Sequence, residues 1–156
     1  MDLTKLEQFI ITARTQTYSG STGKVTPLLT GSKQLEYKEK GLLYRDIYFT
    51  GKNTFTGIET IYENDKPIFA MSYYGNWTTM TEKEIDTILR VALLENPKTR
   101  LNTFVEWKKD SYTYVYSPDK NGNIDEVSGT ETILLNNKQI YTFYSAGSIL
   151  TNKVLN

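Results

Sequence analysis

The sequence predicts an α+β fold made by tandem duplication. Each of its two units is one helix followed by an antiparallel β-meander, and the pair packs as a single pseudo-twofold domain. Three observations predict this. "FTGIETIYENDKPIFAMSYYG" (55–75) and "VSGTETILLNNKQIYTFYSAG" (127–147) share a glycine, a glutamate two places on, an isoleucine, a short polar turn and an aromatic-rich run. Gly57 and Gly129 lie 72 residues apart, and the two helical patterns about 79, Ala13 against Ala92. A chain of 156 residues, 38% hydrophobic and 23% charged, is one ordinary globular domain with enough length to bury a core. The domain is expected to span 1–156, with repeat units of about 1–79 and 80–150.

Leu3, Leu6, Phe9, Ile10 and Ala13 recur at helical spacing, with Asp2 or Thr4 as cap, and this helix should fade near Arg14. Residues 17–32, with Gly20, Gly23, Pro27 and Gly31, read as a long loop, and loops of that length in a compact domain are usually functional or mobile. "LEYKEKGLLYRDIYF" predicts two strands broken near Gly41, and the next two strands form a hairpin around Asn64-Asp65. In "MTEKEIDTILRVALLENP", Thr81 and Glu84 form a capping box, Ile85, Ile88, Leu89 and Ala92 form the apolar stripe, and Pro97 stops the helix. "TFVEWKK" and "SYTYVYS" are strands, "PDKNGN" is a turn, and "EVSGTETILL" pairs with "KQIYTFYS" around Asn136-Asn137.

Composition excludes much chemistry. Lys plus Arg equals Asp plus Glu at 18 each, so no basic footprint for nucleic acid or anionic membrane exists. With no Cys and no His, disulfides, thiolate and imidazole metal sites and the usual nucleophile–base pairs are absent. No cofactor or metal motif stands out. Asp119, Asn121, Asn123 and Asp125 alternate like a calcium loop, but the glycine and closing glutamate of that motif are missing, which favours a hairpin turn. "SGSTGK" (19–24) lacks the spacing, preceding strand and following helix of a phosphate loop. The N-terminus is no signal peptide and no run has the length of a membrane span, so a cytoplasmic address is the default expectation.

Strand alternation puts Phe55, Gly57, Glu59 and Ile61 on one face, and Val127, Gly129, Glu131, Ile133 and Leu135 on one face of the second unit. Each glutamate thus has apolar neighbours on its own side. Two-residue turns place Glu59 opposite Ala70, Gly57 opposite Ser72 and Glu131 opposite Thr142. Small residues around a glutamate leave room for a ligand or for a partner side chain from a helix. Tyr44, Asp46 and Tyr48 share a face, which a two-residue hairpin loop places on the side of Glu59 and a three-residue loop would flip away. Their counterparts in the second unit are taken as Tyr112, Tyr114 and Tyr116. Two carboxyls on a half-buried face raise the pKa of one of them.

The candidate ligand-binding residues are therefore Tyr44, Asp46, Tyr48, Gly57, Glu59, Ser72 and Glu131. A glutamate paired with Lys, Arg or a tyrosine hydroxyl in a purely structural role stands beside that reading. The expected ligand is a neutral or cationic small molecule, held in a pocket that the first unit lines and residues 17–32 partly cover. The alternatives are an enzyme using Asp46 and Glu59 as an acid/base pair, which the missing motifs disfavour, and a protein-interaction module with no pocket. A homodimer is compatible with either.

The ordered set Tyr18, Gly31-Ser32, Tyr37, Tyr44-x-Asp46-x-Tyr48, Phe55-x-Gly57-x-Glu59, Pro67-Ile68-Phe69-x-Met71-x-Tyr73-x-Gly75, Gly129-x-Glu131, Tyr144 and Gly147 resembles the bacterial domain of unknown function numbered 5680. The resemblance covers roughly residues 6–150. It implies a sensing role and no catalytic residues, because that family occurs alone or behind helix-turn-helix segments and has no established activity. The chain departs from the pattern at Phe69, where tryptophan is common, and at Ser145-Ala146. It carries no helix-turn-helix segment of its own.

Overall fold

The computed structural model describes residues 2–151. Helix α1 (Leu3–Arg14) starts at Asp2, whose carboxylate accepts from the backbone N–H of Thr4 at 2.7 Å. A π-helical turn (Thr15–Ser19) continues it. The segment expected as loop from residue 17 is therefore helical to Ser19. Thr17 Oγ1 donates to the Ala13 carbonyl at 2.7 Å, satisfying it without a regular α-turn.

Eight strands follow: β1 (Lys33–Glu39), β2 (Leu42–Thr50), β3 (Thr54–Glu63), β4 (Lys66–Trp77), then α2 (Glu82–Glu95), β5 (Val105–Lys109), β6 (Tyr112–Pro118), β7 (Glu126–Leu135) and β8 (Lys138–Ile149). They form one antiparallel sheet in the order β1-β2-β3-β4-β8-β7-β6-β5. Thr81 and Glu84 close the capping box on α2. Asn64, Asp65, Asn136 and Asn137 all take the left-handed backbone conformation of a tight hairpin turn. The β6–β7 connection is a seven-residue segment, Asp119–Asp125, in place of the short turn expected there.

Hairpin register differs from the expectation by one residue in both halves. A bulge between Ile61 and Tyr62 leaves Ile68 as an extra residue on β4, so Glu59 faces Met71 and Gly57 faces Tyr73. A second bulge, between Ile133 and Leu134, leaves Ile140 extra on β8, so Glu131 faces Phe143. A one-residue slip moves side chains to the other face. Ser72 and Thr142 are thereby turned away from the glutamates, and Ser72 is exposed.

The inward face of the sheet carries the core. Leu6, Phe9, Ile10 and Ala13 of α1, and Ile85, Leu89, Ala92 and Leu93 of α2, join Ile61, Phe69, Met71, Ile133 and Phe143 in one buried cluster. The opposite face is open, with Ile58, Tyr74 and Tyr144 exposed among threonines and serines. Among the described residues no helix is long and apolar enough to cross a membrane.

Candidate functional site

Both inward-facing glutamates meet an arginine. At the C-terminal end of α1, Arg14 donates from Nε at 2.9 Å and Nη2 at 2.6 Å to Glu59 Oε2. Arg100, in the segment between α2 and β5, donates from Nε at 2.7 Å and Nη2 at 2.8 Å to the two oxygens of Glu131. Tyr114 and Tyr141 hydroxyls complete Glu131 at 2.6 and 3.0 Å. Arg100 reaches it from a left-handed backbone (φ 63°) that costs a non-glycine residue about 1–2 kcal/mol. Its guanidinium lies 4.0 Å over the Phe143 ring. Burial pulls the Arg100 pKa down, but the charge of Glu131 more than offsets it and raises it well above the ordinary value.

Asp46 is the exception. It faces Glu59 directly across the β2–β3 pair, because four residues, in place of the two expected but of the same parity, separate the paired Thr50 and Phe55. Only 5% of its surface is exposed. Among the described residues its side chain has one hydrogen-bond partner, the Tyr73 hydroxyl, which donates to Oδ1 at 2.6 Å. Burial, and then the neighbouring charge of Glu59, push its pKa up to about 8, against the lowering effect of the Tyr73 hydrogen bond.

The glycine of the repeated motif follows from this contact. Tyr73 stands opposite Gly57, and its ring crosses that glycine to reach Asp46 on the next strand. A Cβ on Gly57 would sit 2.6 Å from the Tyr73 hydroxyl and 2.6 Å from the Ile47 carbonyl. In the second half the arrangement is exchanged. The residue facing Glu131 is Tyr116, not Tyr114, and it leans over Gly129 beside Ser145, which occupies the place that Tyr73 holds against Gly57. Tyr116 and Ser145 hydroxyls are buried beside each other.

A cavity of about 470 Å³ opens above Asp46. Asp46, Tyr48, Phe55, Glu59, Tyr73 and Trp77 form its floor. Arg14, Tyr18 and Ser19 from α1 and the π-turn, and Asp86 and Leu89 from α2, form walls, while Lys24, Val25 and Pro27 cover one side. The π-turn is fastened to α2 where the Tyr18 hydroxyl donates to Asp86 and Arg90 stacks 4.6 Å over the Tyr18 ring. The wall also includes Thr99 and Arg100, but no residue of β5–β8 lines the cavity.

Among the residues singled out from the sequence, Asp46, Tyr48 and Glu59 line this cavity, with Gly57 beneath Tyr73. Tyr44 is buried next to them, its pKa raised well above the ordinary value by burial and then by the charges of Glu59 and Asp46. Glu131 is fully buried away from the cavity, and Ser72 is on the opposite face. Sequence reasoning passed over Arg14, Arg100 and Trp77. The arginines had a signal: the chain has four, Arg14, Arg45, Arg90 and Arg100, and each one is ion-paired to a carboxylate. Among the described residues no group of three or more His, Cys, Asp or Glu side chains is placed to hold a metal ion.

A family model described as "Domain of unknown function (DUF5680)" matches residues 46–150. The match begins at Asp46 and so leaves out α1, the π-turn and β1, where Tyr18 and Tyr37 of the resemblance lie. No match to the chain was found among curated proteins or among solved structures.

Proposed function

The chain belongs to the DUF5680 family, and from that starting point we propose that it binds a small organic molecule in the cavity above Asp46, as a sensing or carrier module rather than an enzyme. The observation that carries this reading is a buried carboxyl lining a cavity of about 470 Å³ with its second oxygen free of protein partners. Buried polar groups are normally satisfied, so an open one in a ligand-sized concavity invites an occupant. Tyr48, Phe55 and Trp77 supply apolar surface around it. The acid/base alternative draws support from the facing Asp46 and Glu59, but Arg14 holds Glu59 in an ion pair and opposes proton transfer at that carboxylate.

The duplication belongs to the same reading. β3 and β7 begin and end 72 residues apart, as do β4 and β8. Both hairpins bulge at corresponding places, and both inward glutamates take an arginine. One domain of two related units, about 1–79 and 80–150, accounts for these correspondences. In it the second unit keeps its glutamate as a brace and the first opens onto the cavity.

The test is a thermal-shift screen of cationic, neutral and anionic metabolites, followed by NMR of the Trp77 indole N–H in a Trp107→Phe background. A true occupant raises the melting temperature by mass action, moves the Trp77 resonance, and loses both effects in Asp46→Ala. A screen in which no compound reaches Trp77, or in which hits are indifferent to Asp46→Ala, refutes the reading.

A further inference from the structure

We propose that Asp46 meets its ligand as the neutral acid, donating a hydrogen bond, so that the cavity selects an uncharged molecule with an amide-like edge. The inference rests on the binding reading above and specifies its ligand class.

The charges around Asp46 are already spent on one another. From β3 it faces Glu59, which is held by Arg14 of α1. From the segment after α2 comes Arg100, held by Glu131. On the cavity walls, Arg90 of α2 is paired with Asp86, and Lys33 of β1 with Glu82. Lys24, the remaining cation of the lining, is exposed at the cover. Across β1 the register partner of Asp46 is Leu35. Tyr44 and Tyr48 on its own strand, Tyr73 on β4 and Tyr18 on the π-turn are phenols whose pKa values all lie above the ordinary one, chiefly through burial, so none of them brings a charge at neutral pH. A carboxylate here has a carboxylate neighbour and no cation of its own.

The proton has one natural position. Tyr73 donates to Oδ1, which leaves Oδ2 as the oxygen that carries the hydrogen and offers it outward. Glu59 presents the complement, an acceptor, because both of its bonds from Arg14 go to Oε2. A donor and an acceptor side by side on adjacent strands suit a carboxamide or lactam, whose C=O accepts from Asp46 and whose N–H donates to Glu59. Two of the lining rings, Tyr48 and Tyr18, already lie under Lys33 and Arg90, at 5.7 and 4.6 Å from the ring centroids, which leaves fewer faces for an organic cation.

Three probes of one shape decide the matter: benzamide, benzylamine and benzoate, titrated against the Trp77 indole resonance at about pH 6 and about pH 9.5. Benzamide is expected to bind best at the lower pH. Its apparent dissociation constant should rise roughly 30-fold at the higher pH, as the neutral fraction of a carboxyl titrating near pH 8 falls. In Asp46→Asn, which keeps a donor and an acceptor but no titrating proton, benzamide affinity should hold and its pH dependence vanish. Independently of any ligand, the infrared carboxylic-acid band lost in Asp46→Asn should be present in wild type at about pH 6. Absence of that band, tighter binding of benzylamine or benzoate, or loss of benzamide binding in Asp46→Asn overturns the proposal. If the three probes fail while the metabolite screen yields charged ligands sensitive to Asp46→Ala, this inference falls and the binding reading stands. If the screen fails too, both fall.

Discussion

Replacing Arg100 with alanine isolates the energetic role of the buried pair. Glu131 has no exposed surface and takes four hydrogen bonds, two from Arg100 and one each from Tyr114 and Tyr141. The alanine variant keeps both phenols but strips the only positive charge among the described residues that touches the carboxylate. Removing one partner of a buried ion pair costs about 3–5 kcal/mol, because the charge left behind has neither water nor counter-charge. In a chain of this size each kcal/mol lowers the melting temperature by about 2–4 °C, so the drop should be on the order of 10 °C. Urea unfolding followed by tryptophan fluorescence reads the change as a midpoint shift at unchanged slope. Arg100→Gly separates side chain from backbone: it loses the same charge but relieves the left-handed strain, and should be less damaging than alanine by roughly 1 kcal/mol. A loss below about 1 kcal/mol in the alanine variant would refute the reasoning and make the pair a near-neutral element of the core.

Asp46→Asn should alter stability with the opposite sign. The folded-state pKa of Asp46 lies near 8, against an ordinary 3.8, so between those values the unfolded chain releases a proton that the fold retains. Wild-type stability is eroded there by up to about 1.4 kcal/mol per pH unit, and the asparagine variant, measured by urea unfolding across that window, should gain on wild type as pH rises. Tyr73→Phe removes the one hydrogen bond that lowers the Asp46 pKa, so the carboxyl should titrate higher still, as read from its carbon resonance or infrared band; an unchanged titration would mean that the contact is weak in solution. Gly57→Ala places a methyl against the Tyr73 hydroxyl and the Ile47 carbonyl, an overpacking worth about 1–3 kcal/mol, and should shift the Asp46 titration in the direction of Tyr73→Phe.

How far the sequence discloses this structure depends on how local each cause is. Both helices, with the Thr81–Glu84 box and the stop at Pro97, follow from neighbours within a turn or two. Hairpin tips at Asn64-Asp65 and Asn136-Asn137 follow from the left-handed tolerance of Asn and Asp. The shared face of Asp46 and Glu59 follows from strand parity and an even connection. Bulges at Ile68 and Ile140 have no local signature, since isoleucine suits an uninterrupted strand equally well, and that hid the true partners of the glutamates. The π-turn was obscured because Thr17, Tyr18 and Ser19 are indifferent helix formers beside a glycine. Arg100 was hidden most deeply, being a non-glycine residue held at positive φ by contacts 31 residues away. Composition offered an indirect clue: four arginines against 14 lysines is a short list of candidates for two buried carboxylates that need planar, two-pronged donors.

The paired bulges also bear on how this chain tolerates change. On either side of Ile68 the hairpin keeps a different count, since the sum of paired residue numbers steps by one at the bulge, and the same step occurs at Ile140. Tip and base are thus read in separate frames, each internally consistent. A residue gained or lost near Asn64-Asp65 or Asn136-Asn137 can be absorbed by enlarging or healing the bulge, while β4 and β8 stay locked to each other through nine successive pairs from Phe69↔Ile149 to Trp77↔Tyr141. A change of length at the hairpin ends is therefore confined to the tips and leaves undisturbed the face that carries Asp46 and Glu59.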